Sequence, residues 1–120
     1  MSNDFLSLYQ SYAEDVTDSP PDYHKVMGLA TLGMALGNRV YLPWGDGVIY
    51  PHLWVILLGR STWDHKTEAI YISYRLINRW DYNLIHANDF SYESLIKQLA
   101  KSPTGGFYID ELKNFLGPLS

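Results

Sequence analysis

The chain of 120 residues contains no cysteine. That excludes a disulfide framework and any thiolate metal site, and it is compatible with the cytosol. Long hydrophobic runs are also missing. The longest apolar stretch, around Val48 to Leu58, is interrupted by Pro51 and His52. It falls short of the ~20 apolar residues that a bilayer-spanning helix needs. The opening Met1-Ser2-Asn3-Asp4 has neither the basic nor the apolar region of a secretory leader. A cytoplasmic protein with no membrane partner is therefore expected. Charge is sparse, at 18% of residues, with a formal net charge of −4. Such a segment alone is not expected to grip a nucleic-acid backbone strongly. The four histidines, His24, His52, His65 and His86, show no metal-ligand spacing. Internal repeats, low-complexity tracts and a Gly-x-Ser-x-Gly nucleophile signature are absent.

What remains is one globular unit, 47% hydrophobic and rich in aromatics. Phe5, Leu8, Tyr9 and Tyr12 at helical spacing predict an amphipathic helix over 4–16. Ser19 as cap, Pro20 in the first position and Asp22 in the first turn predict a second helix. It should run to about Leu36 and stop at Gly37-Asn38. Small residues at Gly28, Ala30, Gly33 and Ala35 predict close helix packing. Residues 39–50 read as a hairpin turning at Gly45-Asp46-Gly47. A helix over 66–80, a short strand over 84–87 and a helix over 92–101 capped by Ser91 follow.

The chain is organised around Trp54 to Thr67. An apolar run over 53–58 reads as a buried strand ending at Gly59. A polar loop leads to Lys66-Thr67 and the helix behind it. Strand, glycine loop, Lys-Thr, helix is the layout of a phosphate-binding loop. Glycine lets backbone N–H groups turn inward, and the helix N-terminus adds partial positive charge. Lysine supplies a point charge, and the threonine hydroxyl can ligate Mg²⁺. Six residues lie between Gly59 and Lys66, one more than the common spacing. The other register puts Asp64 and His65 in the Gly-Lys positions. Lys66-Thr67 is preferred, because imidazole is the poorer phosphate anchor near neutrality. Asp64 tolerates a left-handed backbone, although its charge opposes phosphate.

A second motif follows the helices. Gly105 to Glu111, GGFYIDE, reads as a strand ending in paired carboxylates. In ATPases of this type, such an Asp holds Mg²⁺ through water and the next Glu orients the attacking water. The interval from Lys66 to Asp110 has room for a helix, a strand and another helix. A short helix over 112–116, broken by Gly117-Pro118, should follow.

Taken together, Ser19-Pro20-Pro21, Tyr50-Pro51-His52-Leu53-Trp54, Gly59-Arg60-Ser61-Thr62, His65-Lys66-Thr67, Ser91-Tyr92-Glu93-Ser94-Leu95 and Gly106 to Glu111 carry a resemblance. From about Asp4 to Leu116 the chain resembles the N-terminal part of a P-loop ATPase family of phages, plasmids and other mobile elements. Members of that family often accompany primase domains in replication proteins. The resemblance implies an α/β fold: an incomplete, mainly parallel, RecA/AAA-like three-layer NTPase core. An N-terminal helical segment, residues 1–38, would precede the core over 39–120. The core would hold the hairpin at 39–50, a Walker A-like segment at 53–67 and a Walker B-like segment at 106–111. ATP and Mg²⁺ are the implied cofactors. Gly59, Arg60, Ser61, Thr62, Trp63, Asp64 and His65 would cradle the phosphates, and Lys66 would contact the β- and γ-phosphates. Thr67 would bind Mg²⁺, Asp110 would hold the metal's water, and Glu111 would act on the attacking water. DNA, primase or other replication proteins, and a second copy of the chain are the implied partners. A further strand is expected between the two motif strands, so the chain is expected to be the front portion of a longer protein. The alternative expectation is an interaction or assembly module that keeps the loop's shape without turnover.

Overall fold

The computed structural model describes residues 4–60, 63–86 and 91–109. Helix α1 spans Phe5–Val16. Asp4 caps it, its carboxylate accepting the Ser7 N–H at 2.8 Å, which satisfies one of the orphan donors of the first turn. Helix α2 spans Pro21–Leu36. It starts one residue later than expected, with Pro20 at the cap and no side-chain capping bond. Ser19 is not the cap, because its hydroxyl donates instead to the His65 carbonyl at 2.8 Å. Gly37 ends α2 at φ 54°, a left-handed value that glycine adopts without steric cost.

The hairpin forms from β1, Leu42–Trp44, and β2, Gly47–Ile49, paired antiparallel with Leu42 opposite Ile49. It is shorter than the expected span, and every residue in both strands is exposed. Helix α3 spans Lys66–Asp81, and a 3₁₀ turn over Tyr82–Leu84 follows directly. Helix α4, Tyr92–Lys101, is capped by the Ser91 hydroxyl, which accepts from the Ser94 N–H at 3.3 Å.

The core lies where α1, α2 and α3 meet. Tyr9, Ala13, Met27 and Ile72 form its buried cluster, with Val55, Leu57, Ile70 and Tyr108 packed against it. Gly28 makes room for Tyr9: a Cβ there would stand 3.1 Å from the Tyr9 ring. Gly33 makes room for a backbone rather than a helix, since a Cβ would collide with the Pro51 carbonyl oxygen. Close approach thus brings residues 51–58 onto the helices.

That segment differs from the buried strand expected of it. Residues 51–60 adopt no regular secondary structure. Val55 and Leu57 face the core, while Trp54, Ile56 and Leu58 are 88%, 64% and 80% exposed. The alternation is that of a strand, but no ladder forms on it among the described residues. Of the strand expected at 84–87, of which residue 87 lies outside the described residues, the described part shows one parallel bridge, Ile85 to Gly106. Its bonds are His86 N–H to the Gly106 carbonyl at 2.9 Å and Gly106 N–H to the Leu84 carbonyl at 2.7 Å. Just before it, the Asp81 carboxylate accepts the Asn83 N–H at 3.1 Å and holds the 3₁₀ turn. The only sheet among the described residues is the hairpin, so no three-layer parallel sheet is formed within them. The helix expected at 112–116 lies outside the described residues.

The radius of gyration is 15.4 Å, against about 13.6 Å for a compact chain of this length. The accessible surface is 8755 Å², where a compact domain of this mass exposes roughly 6,600 Å². Much of the exposed apolar surface lies on the hairpin and on 53–58.

Buried hydroxyls join the helices. The Thr31 hydroxyl donates to the Met27 carbonyl at 2.6 Å and lies 2.5 Å from the Ser73 hydroxyl. Ser73 in turn lies 2.8 Å from the Tyr108 hydroxyl. Burial pushes the Tyr9 phenol up to about 12 and raises Tyr108 as well. Both therefore stay protonated near neutrality. Ser73→Ala removes the bridge between Thr31 and Tyr108. It is expected to cost about 1–3 kcal/mol, read as a lower urea midpoint with unchanged slope.

His24 is fully buried, with neither ring nitrogen hydrogen-bonded among the described residues. Burial lowers its pKa, opposed in part by Glu14. The unfolded chain therefore takes up the proton first as pH falls below about 6.5. Stability contributed by the neutral ring is complete above that pH and declines below it. Urea titrations across pH 7.5 to 5 should show this decline in the wild type and a shallower one in His24→Leu.

Candidate anion-binding loop at the start of helix α3

At the described ends of loop 59–65, Arg60 and Asp64 bond to each other. The Asp64 carboxylate accepts the Arg60 backbone N–H at 2.6 Å and the Arg60 guanidinium at 3.4 Å. The Asp64 N–H returns to the Arg60 carbonyl at 3.2 Å. Chiefly that backbone N–H, with the guanidinium and Lys66 adding to it, holds the Asp64 carboxyl below the usual carboxylate range. The Arg60 guanidinium also lies 5.7 Å from the centre of the Trp63 ring, within cation–π range.

Gly59 is needed where it stands. A Cβ there would collide with the Tyr23 hydroxyl and the Asp64 carboxylate. Tyr23 donates to the Leu58 carbonyl at 2.5 Å and so fixes the loop's entry to α2. Lys66 closes the other side, its ammonium donating to the Gly59 carbonyl at 3.0 Å. Thr67 is exposed in the first turn of α3.

Among the described residues of the loop, the non-glycine residue with a left-handed backbone is His65, at φ 49°, where Asp64 was the residue expected to tolerate such a backbone. Its side chain turns out of the loop. The ring Nδ1 lies 2.5 Å from an Asp18 carboxylate oxygen and 3.4 Å from one of Glu68. Lys66, not His65, thus reaches across the loop. Ser61, Thr62, Asp110 and Glu111 lie outside the described residues. His86 does not join this loop: its ring contacts the Thr104 carbonyl at 3.1 Å and packs on Phe107.

Chemically, the loop presents a backbone N–H, a guanidinium, an ammonium and a helix N-terminus around one carboxylate. Those donors suit an anion, and the chain supplies one in Asp64. Sequence reasoning gave Asp64 as a charge opposing phosphate, but not as the group the loop closes on. It also missed Tyr23, Thr17, Asp18 and Ser19. Of these contacts only His65 and Glu68, three positions apart across the start of α3, left a local signal.

Among the described residues, no helix is long and apolar enough to cross a membrane. Comparison with protein-family models, curated proteins and solved structures gives no match.

Asp64→Asn removes the internal negative charge while retaining an acceptor for the Arg60 N–H. Pyrophosphate titrated by calorimetry should bind several-fold more tightly to this variant than to the wild type. Weaker binding would mean that the Asp64 charge builds the site instead of competing for it.

Proposed function

We propose that residues 53–67 bind the phosphates of ATP with Mg²⁺, as part of a P-loop NTPase-type core in a cytoplasmic replication protein of a phage or mobile element. The observation that supports this is the convergence of the Lys66 ammonium and the Arg60 N–H on one small loop at the start of a 16-residue helix. In this reading Lys66 leaves the Gly59 carbonyl for the β- and γ-phosphates, and the Asp64 carboxylate yields its N–H partner to a phosphate oxygen. Thr67 would hold Mg²⁺, with Asp110 ordering the metal's water and Glu111 the attacking water. The metal, when bound, offsets phosphate charge. The residues fit such a ligand in donor type, and Asp64 is the group that opposes it. DNA, primase-type replication proteins and further copies of the chain are the proposed partners, with hydrolysis driving movement on nucleic acid.

A second reading is favoured by two observations. Asp64 already occupies the Arg60 donors, and Trp54, Ile56 and Leu58 lie open along one edge. In that reading the segment is an assembly module that keeps the loop without turnover, because exposed apolar patches mark association surfaces. Mg-ATP calorimetry on this chain separates the two. The first reading expects saturable, Mg²⁺-dependent binding that Lys66→Ala weakens at least about tenfold, or 1.4 kcal/mol. Absence of binding to well-folded protein would select the second.

A further inference from the structure

The connection between α1 and α2 lies against the first turn of α3 and brings Asp18 to His65 and Glu68. The ligand-type atoms of these three residues all lie within 4.8 Å of one another. His65 Nδ1 is buried, yet neither neighbouring carboxylate meets it as an aligned hydrogen bond. Neither Asp18 nor Glu68 forms an ion pair with lysine or arginine among the described residues. Two carboxylates thus converge on one imidazole nitrogen, a donor set whose negative charge a bound cation would offset.

We infer that Asp18, His65 and Glu68 form a binding site for a first-row transition-metal dication, with zinc as the type ion. It is separate from any Mg²⁺ at Thr67 and does not rest on the nucleotide reading. One imidazole and two carboxylates suit Zn²⁺ and its neighbours. Mg²⁺ prefers oxygen ligands and retains its waters. Bonds of about 2.0–2.1 Å in tetrahedral geometry set ligand atoms roughly 3.3 Å apart. Glu68 already lies 3.4 Å from Nδ1, and Asp18, 82% exposed, swings out by less than about an ångström. Groups behind the ligands orient them, as is usual at metal sites. The Thr17 hydroxyl donates to the Glu68 carboxylate at 2.6 Å, while Ser19 donates to the His65 main-chain carbonyl at 2.8 Å and so holds the backbone that carries the imidazole. A cation here ties the α1–α2 connection to the helix that carries Lys66 and Thr67.

The test is calorimetric titration of the whole metal-free chain with Zn²⁺, and spectroscopic titration with Co²⁺, whose visible absorption reports its ligands. The variants are Asp18→Asn and Glu68→Gln, both at exposed positions, and His65→Asn, which tolerates the left-handed backbone. Circular dichroism verifies folding. Expected are one Zn²⁺ per chain, a Co²⁺ band displaced by Zn²⁺ but not by equimolar Mg²⁺, and a weakening of roughly 10- to 100-fold in each variant. No binding to folded wild type, or binding that Asp18→Asn and Glu68→Gln leave unchanged, overturns the proposal.

Discussion

The Ser73 hydroxyl is the contact on which the arrangement of helices depends. It sits fully buried on α3, facing Thr31 of α2 on one side and Tyr108, just beyond the Gly106 bridge, on the other. A buried hydroxyl without partners is costly, so these groups hold one another in register more sharply than apolar packing alone. Tyr9, buried in the core cluster, brings α1 to the same place. With α3 pinned by Ser73, its N-terminus is placed against the α1–α2 connection, and residues 51–60 are carried over α2. The loop geometry around Lys66 follows from that placement.

Around this pinned centre the outer parts are loosely covered. The hairpin exposes both faces, and α4 buries no residue despite its amphipathic pattern. A two-stranded hairpin alone is marginal in water, and an apolar ribbon such as Trp54-Ile56-Leu58 invites pairing. The described fold is thus well specified at its three-helix centre and open at its edges. Both functional readings use that division: the nucleotide reading needs the rigid α3 beneath the loop, and the assembly reading needs the open edge.

What was legible in the sequence tracks the range of the interactions. The core helices and α4 were readable because period, caps and stop signals act within a few residues. The span of α3 and the Ser91 cap are cases where local chemistry decides. The cap expected at Ser19 does not form, since the carbonyl of His65, far along the chain, takes its hydroxyl. The run 53–58 carries the alternation of a strand, but a ladder is a property of two segments. In the loop, the donors Arg60 and Lys66 could be named from residue type alone. That Asp64 folds back onto Arg60 and that His65 turns to Asp18 depend on the conformation adopted between them.

The measurement that bears most directly on the nucleotide reading is the response of individual backbone amides to Mg-ATP in ¹⁵N-labelled protein. Shifts concentrated between Gly59 and Thr67 are expected, with the Arg60 amide moving most as its bond to Asp64 is exchanged for one to phosphate. Saturation that leaves the Arg60 and Lys66 amides unmoved, with shifts elsewhere on the surface, would contradict it.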